Sequence, residues 1–356
     1  MQTNIGVMLS MNKKFDVSVC VGRFQPVHNA HVEMLKRAGE QANKVIIIVG
    51  SANRPRTFKN PWLSRERGAM ILEACMRLKE QTGADYVYEH NIDTMYNDAA
   101  WVVRVQEFVA KNSNEGDRIA LFGHKKDGSS FYLNMFPQWT FVQQDLIENL
   151  DATLIRKVYF DPSICNLNWF KGVLPETTLA YLRWFKDSPE YNQVVREKEF
   201  LEKYKKQAAA YPYPIIYVTA DAVVMQAGHV LMVQRGADPG NGLWALPGGF
   251  VDAAGDRTME DAALRELREE TGIKVPEKVL RGSIVENRVF DAPDRSQRGR
   301  TITHAFHIRL DDGEWNLPKV KGSDDAAKAK WIPISKLNSE EIFEDHYDII
   351  QFFLGK

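Results

Sequence analysis

Nothing in the bulk composition of this chain advertises a partner. Lysine and arginine number 46 against 47 aspartates and glutamates, leaving a formal net charge of −1. Without a basic field, neither a nucleic-acid nor an anionic-membrane surface is expected, and no nucleic-acid motif is present. Cysteine is scarce. Cys20, Cys75 and Cys165 lie far apart, which excludes a disulfide framework and a paired-thiolate metal site and points to reduced, packed thiols in a cytoplasmic protein. A run of eighteen apolar residues is missing, and the opening MQTNIGVMLSMNKKF lacks a signal-peptide pattern. Low-complexity tracts and internal repeats are absent as well. What remains is a globular composition, 44% hydrophobic and 26% charged over 356 residues, enough for two domains with separate cores.

The first half alternates apolar strands with amphipathic helices. VSVCVG (17–22), KVIIIVG (44–50), ADYVYEH and DRIALFG (117–123) read as strands, separated by HVEMLKRAGEQAN, SRERGAMILEACMRLKEQTG and WVVRVQEFVAKNSN as helices. Continuous apolar strands in such an order predict a doubly wound parallel sheet, with its ligand crevice at the carboxyl ends of the strands. From about residue 174 the character changes. Two helices are expected, the second strongly charged, ending at YPYP (211–214), where two prolines in four residues stop any helix. Beyond them, IIYVTADAVVMQAGHVLMVQRG reads as two strands around a turn, followed by LPGGF, one helix (259–271), more strands and a last helix EEIFEDHYDIIQFFL. The expected organisation is α/β throughout: residues 1–173, a helical extension and linker at 174–213, and a mixed α/β domain at 214–356.

The first chemical candidate is GRFQPVHNAH (22–31). A strand ending at Val21 feeds a loop and then a helix starting near His28 or Asn29. A helix N-terminus offers unsatisfied N–H groups and the positive end of the dipole, so it attracts phosphate. Gly22 allows close backbone approach and Pro26 stiffens the entry. His28 and His31 are three apart and share a face, where two imidazoles could steady charge on phosphate oxygens. Taken alone, H-x-x-H is more often a cap and a packed ring.

The surrounding residues change that weighing. G-R-F-x-P-x-H-x-x-H after a first strand resembles the nucleotidylyltransferase signature. VGSANRPRTFKNPWLSRERGAMI and LDATLIR (150–156) are similar to the archaeal-type nicotinamide mononucleotide (NMN) adenylyltransferases. The resemblance implies a Rossmann-like domain that transfers AMP from ATP to NMN, giving NAD and pyrophosphate with Mg²⁺ on the leaving group. It assigns His28, His31, Arg23 and Arg156 to catalysis, and Gly22, Phe24 and Thr153 to substrate binding. Asp151 stands where the family has a serine. Trp101 falls on a family tryptophan that packs on nicotinamide, with Asn97 or Asp98 near the carboxamide. Arg65 and Arg67, on a charged helix, are expected to be solvated. Lys125 and Lys126 follow the last apolar strand, where a phosphate contact and a solvated pair are equally expected.

The second candidate is RELREETG (265–272) on the 259–271 helix. Glu266, Glu269 and Glu270 stand at i, i+3 and i+4, so their carboxylates cluster, and hard oxygen ligands of this kind suit Mg²⁺ or Mn²⁺. LPGGF before the helix and TGI after it resemble the Nudix box, G-x5-E-x7-R-E-U-x-E-E-x-G-U. From Gly249 to Arg265 the chain runs two residues longer than that box, so its first glutamate falls by count on Arg257, with Asp256 beside it. The resemblance implies a Nudix hydrolase domain in which Glu266, Glu269 and Glu270 hold metal and Glu269 and Glu270 act in catalysis. FDAPDRSQRGRTITHAF (290–306) is similar to a segment of ADP-ribose-type Nudix domains and marks Arg298 and Arg300 as phosphate or ribose contacts.

The order of the halves implies one enzyme of NAD metabolism, with ADP-ribose cleaved to AMP and ribose 5-phosphate in the second. ATP, NMN, NAD and ADP-ribose are the expected partners, nucleic acid and membrane are not, and a homo-oligomer stays open. So do two alternatives: a Nudix half that senses ADP-ribose or NAD without cutting it, motivated by Arg257, and a first half that uses another phosphate acceptor.

Overall fold

The computed structural model describes residues 13–90, 95–124, 128–144, 151–310, 316–322 and 326–355. Lys125 and Lys126 fall outside them. The chain divides into two compact units, Met1–Arg56 with Asn60–Val195, and Thr57–Lys59 with Arg196–Lys356.

In the first unit β1 (Phe15–Gly22) is the hub. It pairs in parallel with β2 (Ala42–Val49) on one side and β4 (Ile119–Gly123) on the other, Val19 standing opposite both Ile46 and Leu121. With β3 (Asp85–His90) and β5 (Thr140–Gln143) the sheet order is β3-β2-β1-β4-β5, all parallel. Strand order reverses at β1, so a crevice opens beyond the carboxyl ends of β1 and β4. The short β5 is not expected from the sequence. Helices α1 (Asn29–Gln41), α2 (Ser64–Thr82) and α3 (Asp98–Lys111) fill the connections. One face of the sheet buries Val17, Val19, Ile46, Ile48 and Leu121 against Val105 and Val109 of α3. The short α4 (Ala152–Tyr159) follows β5, then α5 (Glu176–Phe185) and the charged α6 (Pro189–Ala208). The division between units falls inside α6.

The second unit is built on β6 (Tyr217–Gln226) and β7 (His229–Arg235), joined by Ala227 and Gly228 at φ 46° and 70°, the left-handed pair a two-residue hairpin needs. Short strands β8 (Trp244–Ala245) and β9 (Gly248–Phe250) pair with β7 and β6. Strands β10 (Ile284–Phe290), β11 (Thr301–Arg309) and β12 (Ala326–Pro333) complete the order β10-β11-β6-β7-β12, in which only β6 and β11 run parallel among these neighbours. Helix α7 (Met259–Thr271) starts where Thr258 accepts from the Asp261 N–H, and stops at Gly272 with φ 57°. Its Leu264 and Leu267 bury against Val224, Leu231 and Ile308. After α8 (Glu277–Gly282), the final helix α9 spans only His346–Phe353. The sequence suggests a longer one, but Glu344 adopts φ 45° and breaks it. Among the described residues no helix is long and apolar enough to cross a membrane.

Candidate active sites

At the carboxyl end of β1 the chain leaves the sheet through Gly22, exposed Arg23 and buried Phe24, the last at φ 52°. A side chain on Gly22 would press on the Phe24 ring at 3.1 Å, so the glycine lets that ring fold back. His28 caps α1 and His31 stacks on it, ring centroids 3.7 Å apart. The His28 N–H donates to His31 Nδ1 at 3.3 Å, which leaves the proton of a neutral His31 on Nε2. Burial lowers the His28 pKa to about 4 against a raising influence from Asp151, and burial with His28 holds His31 well below the usual range. Both rings are therefore neutral near pH 7. His28 Nδ1 is buried with no hydrogen-bond partner among the described residues, a polar atom left for something else.

Asp151 caps α4, accepting from the Thr153 N–H at 2.8 Å. Arg156 is buried and donates to the Gln25 carbonyl at 2.7 Å and to Thr153 Oγ1 at 3.2 Å. Burial and the neighbouring Arg23 lower its pKa to about 10, against Asp151, so it stays cationic. The α4 start and the histidine loop thus meet, bringing Arg23, His28, His31, Thr153 and Arg156 together as the sequence suggests. The expectation for Arg67 is overturned. Its guanidinium is fully buried and donates to the carbonyls of Arg23 at 2.6 Å, Gly50 at 2.7 Å and Ser51 at 2.8 Å, locking the ends of β1 and β2. A signal existed: residues 67, 71, 74 and 78 share one buried face of α2.

The proposed nicotinamide group is tied to α3. Asn97 is exposed and caps the helix, accepting from the Ala100 N–H at 3.0 Å, and Asp98 is exposed in its first turn. Trp101 is half-buried against Tyr132 and Phe136, centroids 6.1 and 5.7 Å away.

In the second unit a cavity of about 500 Å³ is lined by the β7 end, the 245–252 segment, Glu266, Glu269, Glu270, Arg295, Arg298 and 343–346. The backbone of its floor lies flush against carboxylates. A Cβ on Gly248 would stand 2.5 Å from the Ala220 carbonyl oxygen, and one on Gly249 would stand 2.5 Å from Glu266 Oε1. Glu270 accepts from the Gly248 N–H at 3.0 Å, and burial pushes its pKa up to about 8. Burial raises Glu266 too.

Arg265 organises this face. Nε and Nη2 bond to the two Asp256 oxygens at 2.9 and 2.8 Å, and Nη1 donates to Glu266 and Glu269, each at 2.9 Å. Asp256, not Arg257, therefore makes the loop–helix contact expected of the box's first glutamate, and Arg257 is exposed. The two extra residues are absorbed on either side of Asp256. With Nη1 between Glu266 and Glu269, no three acidic, histidine or cysteine side chains are gathered tightly enough to hold a metal ion among the described residues.

Arg298 lines the cavity, its guanidinium 5.3 Å from the Phe250 ring centroid. Arg300 is not among the lining residues, and its carbonyl accepts from the Tyr217 N–H at 2.8 Å. Sequence reasoning missed Asp221, Arg295, Glu344 and His346. Arg295 is buried and bidentate to Asp345 at 2.8 and 2.9 Å. Glu344 Oε1 accepts from Ser296 Oγ at 2.7 Å, and Asp221 Oδ2 from Thr303 Oγ1 at 2.5 Å.

Comparison with known proteins bears on both units. Residues 19–157 match the cytidylyltransferase-like family and residues 216–353 the NUDIX domain. A crystal structure of a bifunctional NMN adenylyltransferase/ADP ribose pyrophosphatase from Francisella tularensis is 36% identical, with TM-score 0.86, over 96% of this chain and 99% of that one. A second structure from that organism, complexed with AMP and a manganese ion, is 34% identical with TM-score 0.85 over the same shares. A nicotinamide/nicotinic acid mononucleotide adenylyltransferase of Acinetobacter baylyi is 38% identical over 54% of this chain and 96% of that protein.

Proposed function

The chain belongs to the bifunctional NMN adenylyltransferase/ADP-ribose pyrophosphatase family, and from that premise we propose how its residues divide the two reactions. It is a nucleotidyltransferase of NAD biosynthesis joined to a Nudix ADP-ribose diphosphatase. We assign the transferase to residues 1–173, a helical extension to 174–213 and the hydrolase to 214–356, in a cytoplasmic enzyme.

In the transferase an oxygen of the NMN 5′-phosphate bonds to the α-phosphorus of ATP, and the bond from that phosphorus to the bridging oxygen breaks, releasing pyrophosphate. No protein nucleophile is required, so the residues position and neutralise. The observation that supports this best is the neutral stacked pair His28 and His31 beside cationic Arg156, with one imidazole nitrogen unpartnered. His31 donates from Nε2, Arg156 and Arg23 supply charge, and the Thr153 hydroxyl binds a phosphate oxygen. Gly22 and Phe24 shape the entry, while Trp101, Asn97 and Asp98 receive the nicotinamide end. Mg²⁺, when bound, would supply further charge neutralisation to the departing pyrophosphate.

In the hydrolase, water and ADP-ribose give AMP and ribose 5-phosphate. Glu266, Glu269 and Glu270 fit a hard divalent cation, Mg²⁺ or Mn²⁺, because they are carboxyls on one helix face and burial disfavours the bare charge of Glu266 and Glu270. When bound, such a cation would polarise the diphosphate and an attacking water. To hold it, Glu266 and Glu269 would have to be given up by Arg265, which would keep Asp256. Glu269 or Glu270 takes the proton from that water, and Arg298 and Arg300 meet phosphate or ribose.

Full-length protein with ATP and Mg²⁺ should make dinucleotide from NMN, and should release AMP from ADP-ribose. Nicotinic acid mononucleotide and phosphopantetheine are the comparison acceptors. Failure with NMN would overturn the transferase assignment, and tight ADP-ribose binding without AMP release would favour a sensor.

A further inference from the structure

Three consecutive residues, Glu344, Asp345 and His346, each anchor a different part of the hydrolase cavity. Glu344 holds the 296–297 turn through Ser296 Oγ and the Gln297 N–H, the latter at 3.3 Å. Asp345 holds Arg295. His346 holds the floor: its Nδ1 accepts from the Leu246 N–H at 2.8 Å, two residues before the Gly248 N–H that Glu270 engages. The main chain from 246 to 248 is thus pinned at one end by an imidazole and at the other by an acidic residue of α7.

That first contact fixes the tautomer. An imidazole that accepts at Nδ1 and is neutral must carry its proton on Nε2. Burial holds the His346 pKa below its ordinary value, consistent with the neutral ring. His346 is 7% exposed and lines the cavity, with Phe343 packed against it at 5.7 Å between centroids. Nε2 makes no hydrogen bond among the described residues, yet it is not one of their sealed, unpartnered atoms. A buried ring that lines the cavity therefore keeps one N–H donor available, at a corner its other nitrogen has locked.

We propose that His346 is a specificity-determining residue of the hydrolase, donating from Nε2 to a phosphoryl oxygen of the bound nucleoside diphosphate. The inference rests on the ADP-ribose reading above. The donor sits in the same cavity as Arg295, bidentate to Asp345, and Arg298, 3.8 Å from Glu344; with those charges paired inside the protein, a directional N–H contact adds to the recognition of a phosphoryl oxygen. Because a neutral imidazole donates without carrying charge, it discriminates by geometry, rejecting ligands that lack an acceptor there.

Two substitutions separate the ring's two jobs. His346→Asn retains an acceptor in the Nδ1 position for Leu246 and removes the far donor. His346→Gln retains a donor near the Nε2 position and abandons the Leu246 anchor. Calorimetric titration of the full chain without metal should find ADP-ribose and AMP binding about tenfold weaker in His346→Asn at unchanged Tm, with adenosine unaffected. His346→Gln should recover most of that affinity while losing Tm. Unchanged ADP-ribose affinity in His346→Asn, or equal weakening of adenosine, would overturn the proposal. Should His346→Asn fail to fold, ¹⁵N-histidine spectra of the wild type decide: a downfield shift of the Hε2 proton on adding ADP-ribose supports it and an unmoved signal overturns it. If the wild type binds no ADP-ribose at all, the functional reading fails instead.

Discussion

Replacing Arg67 tests whether the transferase site depends on a buried guanidinium that touches no reacting atom. Three carbonyls, those of Arg23, Gly50 and Ser51, receive its protons within 2.8 Å. Charge-assisted bonds of this kind contribute about 1.5–3 kcal/mol each. Their sum is roughly 4.5–9 kcal/mol, which desolvation of the cation offsets by several. Removing the side chain as Arg67→Leu should then destabilise the first unit by about 2–5 kcal/mol, in a chemical denaturation curve read by a probe in that unit. Arg67→Lys keeps the charge but offers a single nitrogen to three acceptors. The loop it frees includes Phe24 and Ser51, both held at φ near 50°, a conformation non-glycine residues leave readily. Displacing the histidine loop by about an ångström costs on the order of a hundredfold in rate, so folded Arg67→Lys should lose NAD synthesis by about that factor. ADP-ribose hydrolysis, measured on the same sample, should not change. A folded Arg67→Lys that makes NAD within threefold of wild type would refute the reasoning, since the clamp would then be stability alone.

Three further outcomes are expected. His31→Ala should abolish NAD formation and leave AMP release from ADP-ribose intact; loss of both would mean the two units are not independent catalysts. Asp256→Ala should cut hydrolysis by roughly tenfold or more by freeing Arg265 to compete for Glu266 and Glu269, whereas Arg257→Ala should stay near wild type; the reverse ranking would restore Arg257 to the box. Glu270, with its pKa pushed up to about 8, is neutral below that pH and must lose its proton to take a cation. Mn²⁺ affinity of the metal-free chain should therefore rise toward pH 8 and flatten above it, and Glu270→Gln should remove that slope. By the same sign, this group lends the metal-free fold stability that is lost as pH rises from about 4.5 toward 8. A pH-independent Mn²⁺ affinity between pH 6 and 8 would contradict it.

What could be read from the sequence was what is written contiguously. Strands β1, β2 and β4 are built on apolar runs, and GRFQPVHNAH and RELREETG each put their chemistry within ten residues. α7 is bounded by a threonine cap and a glycine stop, so its limits were legible. The rest depends on partners brought from a distance. Asp345 finds Arg295 fifty residues away and His346 finds Leu246 a hundred away, separations that no local pattern encodes. Arg67 was misread because composition makes α2 look solvated, while its position lies on the buried stripe. Counting back from Arg265 pointed to Arg257 because a fixed spacing ignores where a loop absorbs extra residues; Asp256 reaches the arginine anyway. Strand β5 is four residues long and half-exposed, too brief for its periodicity to stand out.

The guanidinium of Arg265 gives the acidic face of α7 an internal counterion. Mutual repulsion among Glu266, Glu269 and Asp256 is compensated while the chain folds, by a cation that can never diffuse away. If these glutamates hold a divalent ion as proposed, loading it is an exchange of one positive group for another, with Arg265 kept by Asp256. The electrostatic work of crowding those carboxylates belongs to folding, and the free energy of metal capture reports the difference between two cations rather than the filling of bare charge.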